Sequence, residues 1–374
     1  MSIDLALDDH QQLLQRSANE FFAKRSPVEQ TREIENGDLG YSPELWREMA
    51  DLGWLAIAYP DAYGGTGGSL LDLYPVYEEM GRFLVTSPHL DTVVVAGETI
   101  LAAGTEEQRQ RILPAIARGD AVVGLALTET DGSLGPRSVE LAAEPRGNDF
   151  VLNGTKLLVG FAPSADSFLL TARTSADGVS LFLVDARTDG IAWTRMPNLA
   201  GQALYAVAFD GVVAPDDAVV GDLDAGWAAL SPAITKGALL QTVTIIGAAY
   251  AVLEMTNQYA KDREQFGKPI GAYQAVQYMV SDILIDLHRA ELLAKQAVFR
   301  VATGRPAARE AAIAIAFGKR AAAHLHRQAH EVHAGVAFML EHDLTLYSRR
   351  SKFWENNLGD ARFWQEQLAE AMRL

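Results

Sequence analysis

The hydrophobic period of the chain changes twice, and this double change restricts the fold more than any other feature of the sequence. Up to about residue 119 apolar side chains recur at helical spacing, as in Leu13, Leu14, Ala18, Phe21 and Phe22. Helices are expected over residues 70–83, 91–103 and 105–118, and another starts at Ser42 with Pro43 in its first turn. From Asp120 to about residue 225 the period drops to two, in the runs AVVGLAL, DFVLNGTKLLV, SFLLTAR, VSLFLVD, IAWTRM and LYAVAF. Asn153-Gly154 is the strongest local hairpin signal, and Asp177-Gly178 and Asp189-Gly190 mark further turns. Helical spacing then returns over 226–264, 274–302 and an Ala-rich 307–333, with the breaker Thr303-Gly304-Arg305-Pro306 between the last two. Strands that follow strands without helices between them exclude a doubly wound parallel sheet, whose crossovers need helices. The expectation is an α+β multi-layer fold: an N-terminal helical domain (1–119), a middle antiparallel β domain (120–225) and a C-terminal four-helix-type bundle (226–374).

Composition narrows the function. The 374 residues carry 32 Lys+Arg against 48 Asp+Glu, and a net charge of -16 argues against binding to nucleic acid or to an anionic membrane. With no cysteine, a disulfide framework, a thiolate nucleophile and any Cys-ligated metal are excluded. The start, MSIDLALDDHQQ, has no basic region followed by an apolar stretch, so a cytoplasmic location is expected. The apolar stretch 237–255 is interrupted by Gln241 and two threonines and reads as a buried helix, short of a membrane span. No G-x-S-x-G elbow occurs. His324, His326, His330 and His333 lack the Glu partners of a di-iron bundle and read as solvated or cofactor-flanking imidazoles on a packed helix, with no metal expected.

Six segments carry more specific information. They are Pro60-Asp61-Ala62-Tyr63-Gly64-Gly65-Thr66-Gly67, Leu127-Thr128-Glu129-Thr130-Asp131-Gly132-Ser133, Gly154-Thr155-Lys156-Leu157-Leu158-Val159-Gly160 and Phe209-Asp210-Gly211-Val212-Val213-Ala214-Pro215. The fifth is Arg263-Glu264-Gln265-Phe266-Gly267-Lys268-Pro269-Ile270-Gly271-Ala272-Tyr273-Gln274. The sixth is Glu331-Val332-His333-Ala334-Gly335-Val336-Ala337-Phe338, followed by Glu341-His342-Asp343 and Arg349-Arg350. Taken in order, they resemble the acyl-CoA dehydrogenase family of flavoproteins along nearly the whole chain.

The resemblance implies FAD as cofactor and an acyl-CoA thioester as substrate. It places Leu127, Thr128, Gly132, Ser133, Leu158, Val159 and Gly160 around the isoalloxazine and the thioester. Leu158 stands where the family has a stacking aromatic, and Gly160 where it has a hydroxyl near N5. The same resemblance puts Arg263, Gln265, Phe266, Tyr273 and Gln274 against the diphosphate and adenine of a neighbouring subunit's FAD. Glu331, Ala334 and Gly335 would complete that half, with Glu331 replacing the family's Gln. An oligomer, of this chain alone or with a sister subunit, and an electron-transferring flavoprotein as acceptor follow from the resemblance.

Desaturation of an acyl thioester needs a carboxylate to take the α-proton. In most of the family this is a Glu after the Arg-Arg helix, where this chain has Leu358. A second family position lies about 26 residues before Arg263, where it has Gly237. Glu355 and Asp360 flank the first position and are the candidates for a displaced base. Three functions are therefore expected as alternatives: an FAD-dependent acyl-CoA dehydrogenase, a base-less subunit completing the FAD site of a heteromeric acyl-CoA dehydrogenase, and a flavin-independent CoA-thioester binding protein.

Overall fold

The computed structural model describes residues 5–373. The N-terminal helices are α1 (Asp9–Arg25), α2 (Val28–Asn36), α3 (Pro43–Asp51), α4 (Leu70–Arg82), α5 (Glu98–Ala103) and α6 (Glu106–Ala117). Their starts follow from local side chains: Ser42 accepts from the Leu45 amide at 3.1 Å, and Ser69 with Asp72 and Thr105 with Gln108 form capping boxes. The segment Leu90–Gly97 that leads into α5 is wound as a π-helix, a geometry that turns side chains out of ordinary helical register.

The middle region holds β1 (Val123–Ala126), β2 (Ala142–Arg146), β3 (Asp149–Gly160), β4 (Ser167–Arg173), β5 (Val179–Asp185), β6 (Ile191–Arg195), β7 (Leu204–Ala214) and β8 (Val219–Val220). They form one sheet in the order β6-β7-β3-β2-β4-β5-β8, with β1 alongside β4. Pairing is mostly antiparallel, but β1 runs parallel to β4, and β2 meets β4 in parallel at Ala142↔Arg173. The Asn153-Gly154 hairpin expected from the sequence does not form. β3 runs through it as a bulge, and the tight turn is Gly147-Asn148, between the paired Arg146 and Asp149. The reason is tertiary: the Asn153 side chain accepts from the Gly211 amide on β7 at 2.8 Å, and a Cβ on Gly154 would lie 2.9 Å from the Leu141 backbone.

The C-terminal part comprises α7 (Gly226–Asp262), a two-residue hairpin of β9 (Glu264–Gln265) and β10 (Lys268–Pro269), α8 (Gln274–Ala302), α9 (Ala308–His333), α10 (Asp343–Asn356) and α11 (Ala361–Met372). By length and composition α7 could cross a membrane, more than its sequence suggested, yet 72% of its most apolar window is buried inside the protein. It is the central post of the core. A Cβ on Gly81 would fall 1.9 Å from the Thr244 carbonyl and one on Gly247 1.7 Å from the Glu78 carbonyl, so these two glycines let α4 and α7 pack backbone to backbone.

Arg349-Arg350 joins the two ends of the chain. Glu35 of α2 accepts from Arg349 at 2.8 Å and from Arg350 at 3.0 Å, and Arg350, only 2% exposed, also donates to Thr86 at 2.6 Å. Turned with its oxygen toward the guanidinium, the Gln202 amide accepts two further bonds from Arg350. This network closes the wall between the helical regions and the β sheet.

Candidate functional site

A cleft of about 750 Å³ opens where β1 and β3 face the turn between α10 and α11. Leu127, Thr128, Gly132, Ser133 and Leu158 border it on the sheet side, and Leu358 and Asp360 on the helix side. One bond across the strands and one break in register shape the sheet wall. The Leu157 amide donates to the Thr128 carbonyl at 2.8 Å, and a register shift after Lys156 throws Leu158 into the left-handed region at φ 56°. Leu158 is consequently 49% exposed, toward the cleft, whereas its neighbour Val159 is fully buried in the sheet core.

Beneath this wall, Glu129 and Lys156 form a buried ion pair at 2.6 Å. Glu129 also accepts from the Glu140 and Leu141 amides, and Lys156 donates to Thr171 at 2.9 Å. Burial lowers the Lys156 ammonium to about 8 against the opposing pull of Glu129. The pair ties the strand carrying Thr128 to the strand carrying Leu158, a structural role that the two segments did not disclose separately.

The opposite wall is the turn after α10. Buried Lys319 donates to the Trp354 carbonyl at 2.9 Å and the Asn357 carbonyl at 2.7 Å, and the Trp364 indole donates to the Leu358 carbonyl at 3.0 Å. Desolvation pulls the Lys319 ammonium down to about 7, with Asp360 and Glu355 working against it. These bonds hold Leu358 at φ 53°, a conformation that costs a leucine about 1–2 kcal/mol. Its side chain is buried, and its Cδ1 would stand 2.9 Å from a Cβ on Gly237. The two positions at which the resemblance leads one to expect a base thus meet in space, and one fills the room left by the other.

Neither flanking acid is free to replace them. Glu355 does not border the cleft; it accepts from Ser351 at 2.9 Å and pairs with Lys352 at 2.8 Å. Asp360 borders the cleft but caps α11 through the Phe363 amide at 2.8 Å. Asp131 accepts from the Ser133 amide and Glu366 pairs with Arg362. Among the acids bordering the cleft, only the Asp91 carboxyl has no hydrogen-bond or ion-pair partner among the described residues, and burial pushes it up to about 7. Asp91 lies in the π-helical segment, with Oδ2 at 2.9 Å from where a Cβ on Gly160 would be. The sequence marks it only as an acid at the start of a helix, which pairing with the helix dipole already accounts for.

The remaining expected residues lie apart from the cleft. Arg263, Gln265 and Phe266 sit on the β9–β10 hairpin and Gln274 opens α8. Phe266 is 94% exposed at φ 54°, in a turn with Gly267 at φ 80°, and the Arg263 guanidinium has no partner among the described residues. Tyr273 braces the hairpin by donating to the Gln265 carbonyl at 3.0 Å, with the Lys268 ammonium 4.2 Å above its ring. Glu331, Ala334 and Gly335 are exposed at the end of α9, where Ala334 has φ 54°. Of the nearby histidines, His333 stacks on Tyr259 at 4.3 Å and His330 meets Ser348 at 2.6 Å.

The cleft fits the ring end of a flavin: its sheet wall offers an exposed apolar side chain and a Thr128 hydroxyl with no hydrogen-bond partner among the described residues. The Arg263 guanidinium, a group able to pair with phosphate, lies instead on the exposed hairpin, apart from the cleft.

Comparison with known proteins bears on the same residues. Family models of the acyl-CoA dehydrogenase N-terminal, middle and C-terminal domains match residues 8–120, 124–212 and 224–372. The chain is 34% identical to acyl-CoA dehydrogenase FadE27 of Mycobacterium tuberculosis over 342 residues, 89% of each protein. It is 27% identical to the caffeyl-CoA reductase-Etf complex subunit CarC of Acetobacterium woodii, covering 89% of this chain and 90% of that protein. A chain of the ChsE4-ChsE5 complex from Mycobacterium tuberculosis superposes with a TM-score of 0.90 at 28% identity, over 99% of each chain.

Proposed function

Because the chain belongs to the acyl-CoA dehydrogenase family of flavin oxidoreductases, we propose that it binds FAD and an acyl-CoA thioester but works as the base-less member of an oligomer, completing FAD sites shared with a sister subunit. When bound, FAD supplies the acceptor for a hydride from the acyl β-carbon. The chain's own part is to hold the ring end beside Thr128 and Leu158, to seat the thioester near Ser133, and to exclude water. From Ser133 a groove of about 530 Å³ continues past Arg137, Trp227 and Phe363, a path for the CoA arm.

The observation that carries the reading is the contact between Leu358 and Gly237: both customary sites of proton abstraction are apolar and packed on each other. The partner is supported by exposed apolar groups away from the cleft, Phe266 and, seven residues apart on α8, Tyr278, Ile285 and Leu292, at 46–65% exposure for the α8 trio. The heteromeric ChsE4-ChsE5 neighbour supports a sister subunit, and the name of the CarC relative supports an electron-transferring flavoprotein as acceptor.

The test is turnover. The purified chain, loaded with FAD, is expected to dehydrogenate saturated acyl-CoA thioesters with an artificial electron acceptor only very slowly. Leu358→Glu should raise the rate by about 10²–10⁴-fold, the usual contribution of a positioned base. Robust turnover by the unaltered chain would defeat the proposal and favour a second reading, in which Asp91 takes the proton. Under that reading the rate rises with pH through about 7 as the Asp91 carboxyl ionises, and Asp91→Asn abolishes it while FAD content is unchanged.

A further inference from the structure

Behind the cleft lies a second, smaller chamber of about 80 Å³, reached past Asp91, Leu158, Leu204, Phe353 and Asn357, which border both spaces. Its position makes it the place where an acyl group would end if the thioester lies near Ser133. A water-sized group needs at least 10–15 Å³ of such space, so the chamber of about 80 Å³ takes roughly five to eight such groups at most.

Its walls are not those of a hydrocarbon pocket alone. Leu90, Val85 and Phe161 are apolar, but Gln241, 2% exposed and projecting from the middle of α7, also borders it. The Gln241 side-chain oxygen is buried without any hydrogen-bond partner among the described residues. Neighbouring polar groups do not relieve it. Arg350 is taken up by Glu35 and Thr86, and Thr244 donates to the Leu240 carbonyl at 3.1 Å. A buried amide left unpaired is costly, and interiors leave very few so. A methyl-ended chain would dehydrate the amide and return nothing; a hydroxyl can donate to its oxygen and accept from its nitrogen.

Resting on the acyl-CoA reading above, we propose that the inner chamber is a subsite for a hydroxyl at the end of a short acyl group, with Gln241 as its hydrogen-bonding partner. Asp91, at the neck between cleft and chamber, adds an acceptor on the same path. The substrate class is a short hydroxyacyl-CoA thioester, bound in preference to the saturated thioester of the same length and shape.

The experiment is calorimetric titration of the FAD-loaded protein, in the assembly in which it purifies, and does not depend on turnover. ω-Hydroxyacyl-CoA thioesters of five and six carbons are compared with plain acyl-CoA thioesters one carbon longer, in which a methyl replaces the hydroxyl. The hydroxylated ligands should bind about tenfold or more tightly. Gln241→Leu, which keeps the volume and removes the amide, should erase that preference and leave or improve affinity for the methyl-ended ligands; Gln241→Met serves the same purpose should the leucine variant not fold. Equal affinity for the two ligands in the unaltered protein overturns the subsite, as does a preference that survives loss of the amide. Failure of every thioester to bind overturns the acyl-CoA reading itself, and the subsite with it.

Discussion

The two halves of the candidate cofactor site are built on opposite principles. Around the cleft every element is held from behind: Glu129 and Lys156 pin the sheet wall, and Lys319 and Trp364 pin the turn that carries Leu358. At the β9–β10 hairpin an aromatic ring stands almost wholly in water, and a guanidinium has no partner among the described residues. Left-handed backbone occurs in both, at Leu158 and Leu358 in one and at Phe266 in the other. In the cleft the surrounding bonds dictate it. On the hairpin the two-residue turn sets it, with Phe266 and Gly267 both at positive φ between the paired Gln265 and Lys268.

This contrast can be broken most forcefully under the cleft. Lys156→Met leaves the Glu129 carboxylate buried without its counter-charge and should destabilise the chain by about 3–5 kcal/mol, read as a shift of the urea unfolding midpoint. Adding Glu129→Gln should restore part of the loss. A Lys156→Met chain as stable as the unaltered one would mean that the pair does not support the wall.

On the hairpin the order of effects should reverse. Arg263→Ala should leave unfolding unchanged, since the guanidinium has no partner, but weaken FAD by about 1.5–3 kcal/mol, the worth of a hydrogen bond to a charged group. Fluorescence titration of the flavin measures this, and undiminished affinity would remove Arg263 from the site. In mixed oligomers, Arg263→Ala in one chain and Thr128→Ala in the other should both affect the same cofactor if the two halves come from different subunits.

The smallest effect should be a gain. A two-residue hairpin with both central residues at positive φ favours Asn-Gly, so Phe266→Asn should stabilise the isolated chain by about 0.5–1 kcal/mol while impairing assembly or FAD retention. Loss of stability in that variant would show that the ring already has a use within the single chain.

Legibility followed the range of the interactions. Ser42, Ser69 and Thr105 act on amides within three residues, and helix starts at such positions can be read by eye. The Arg263 to Gln274 segment is legible because its resemblance to the family's motif runs along contiguous residues. Asn153-Gly154 misled because its turn propensity is local, whereas the bond from the Gly211 amide comes from a strand more than fifty residues away. Glu129 and Lys156 could each be read within a motif, but nothing in either motif says that they hold each other.

By itself the sequence determined the order of the three regions, the helix and strand periods, and the absence of a carboxylate at Leu358 and Gly237, because these are properties of residue identity and spacing. Only the tertiary structure decided that Leu358 closes over Gly237, that Glu355 stays out of the cleft, and that the Asp91 carboxyl and the Gln241 side-chain oxygen face enclosed space without partners among the described residues. The physical reason is that hydration, pairing and pKa depend on what packs around a group from distant parts of the chain. By sequence Asp91 is an acid at a helix start and Gln241 an interruption of an apolar helix, and only the packing around them encloses both.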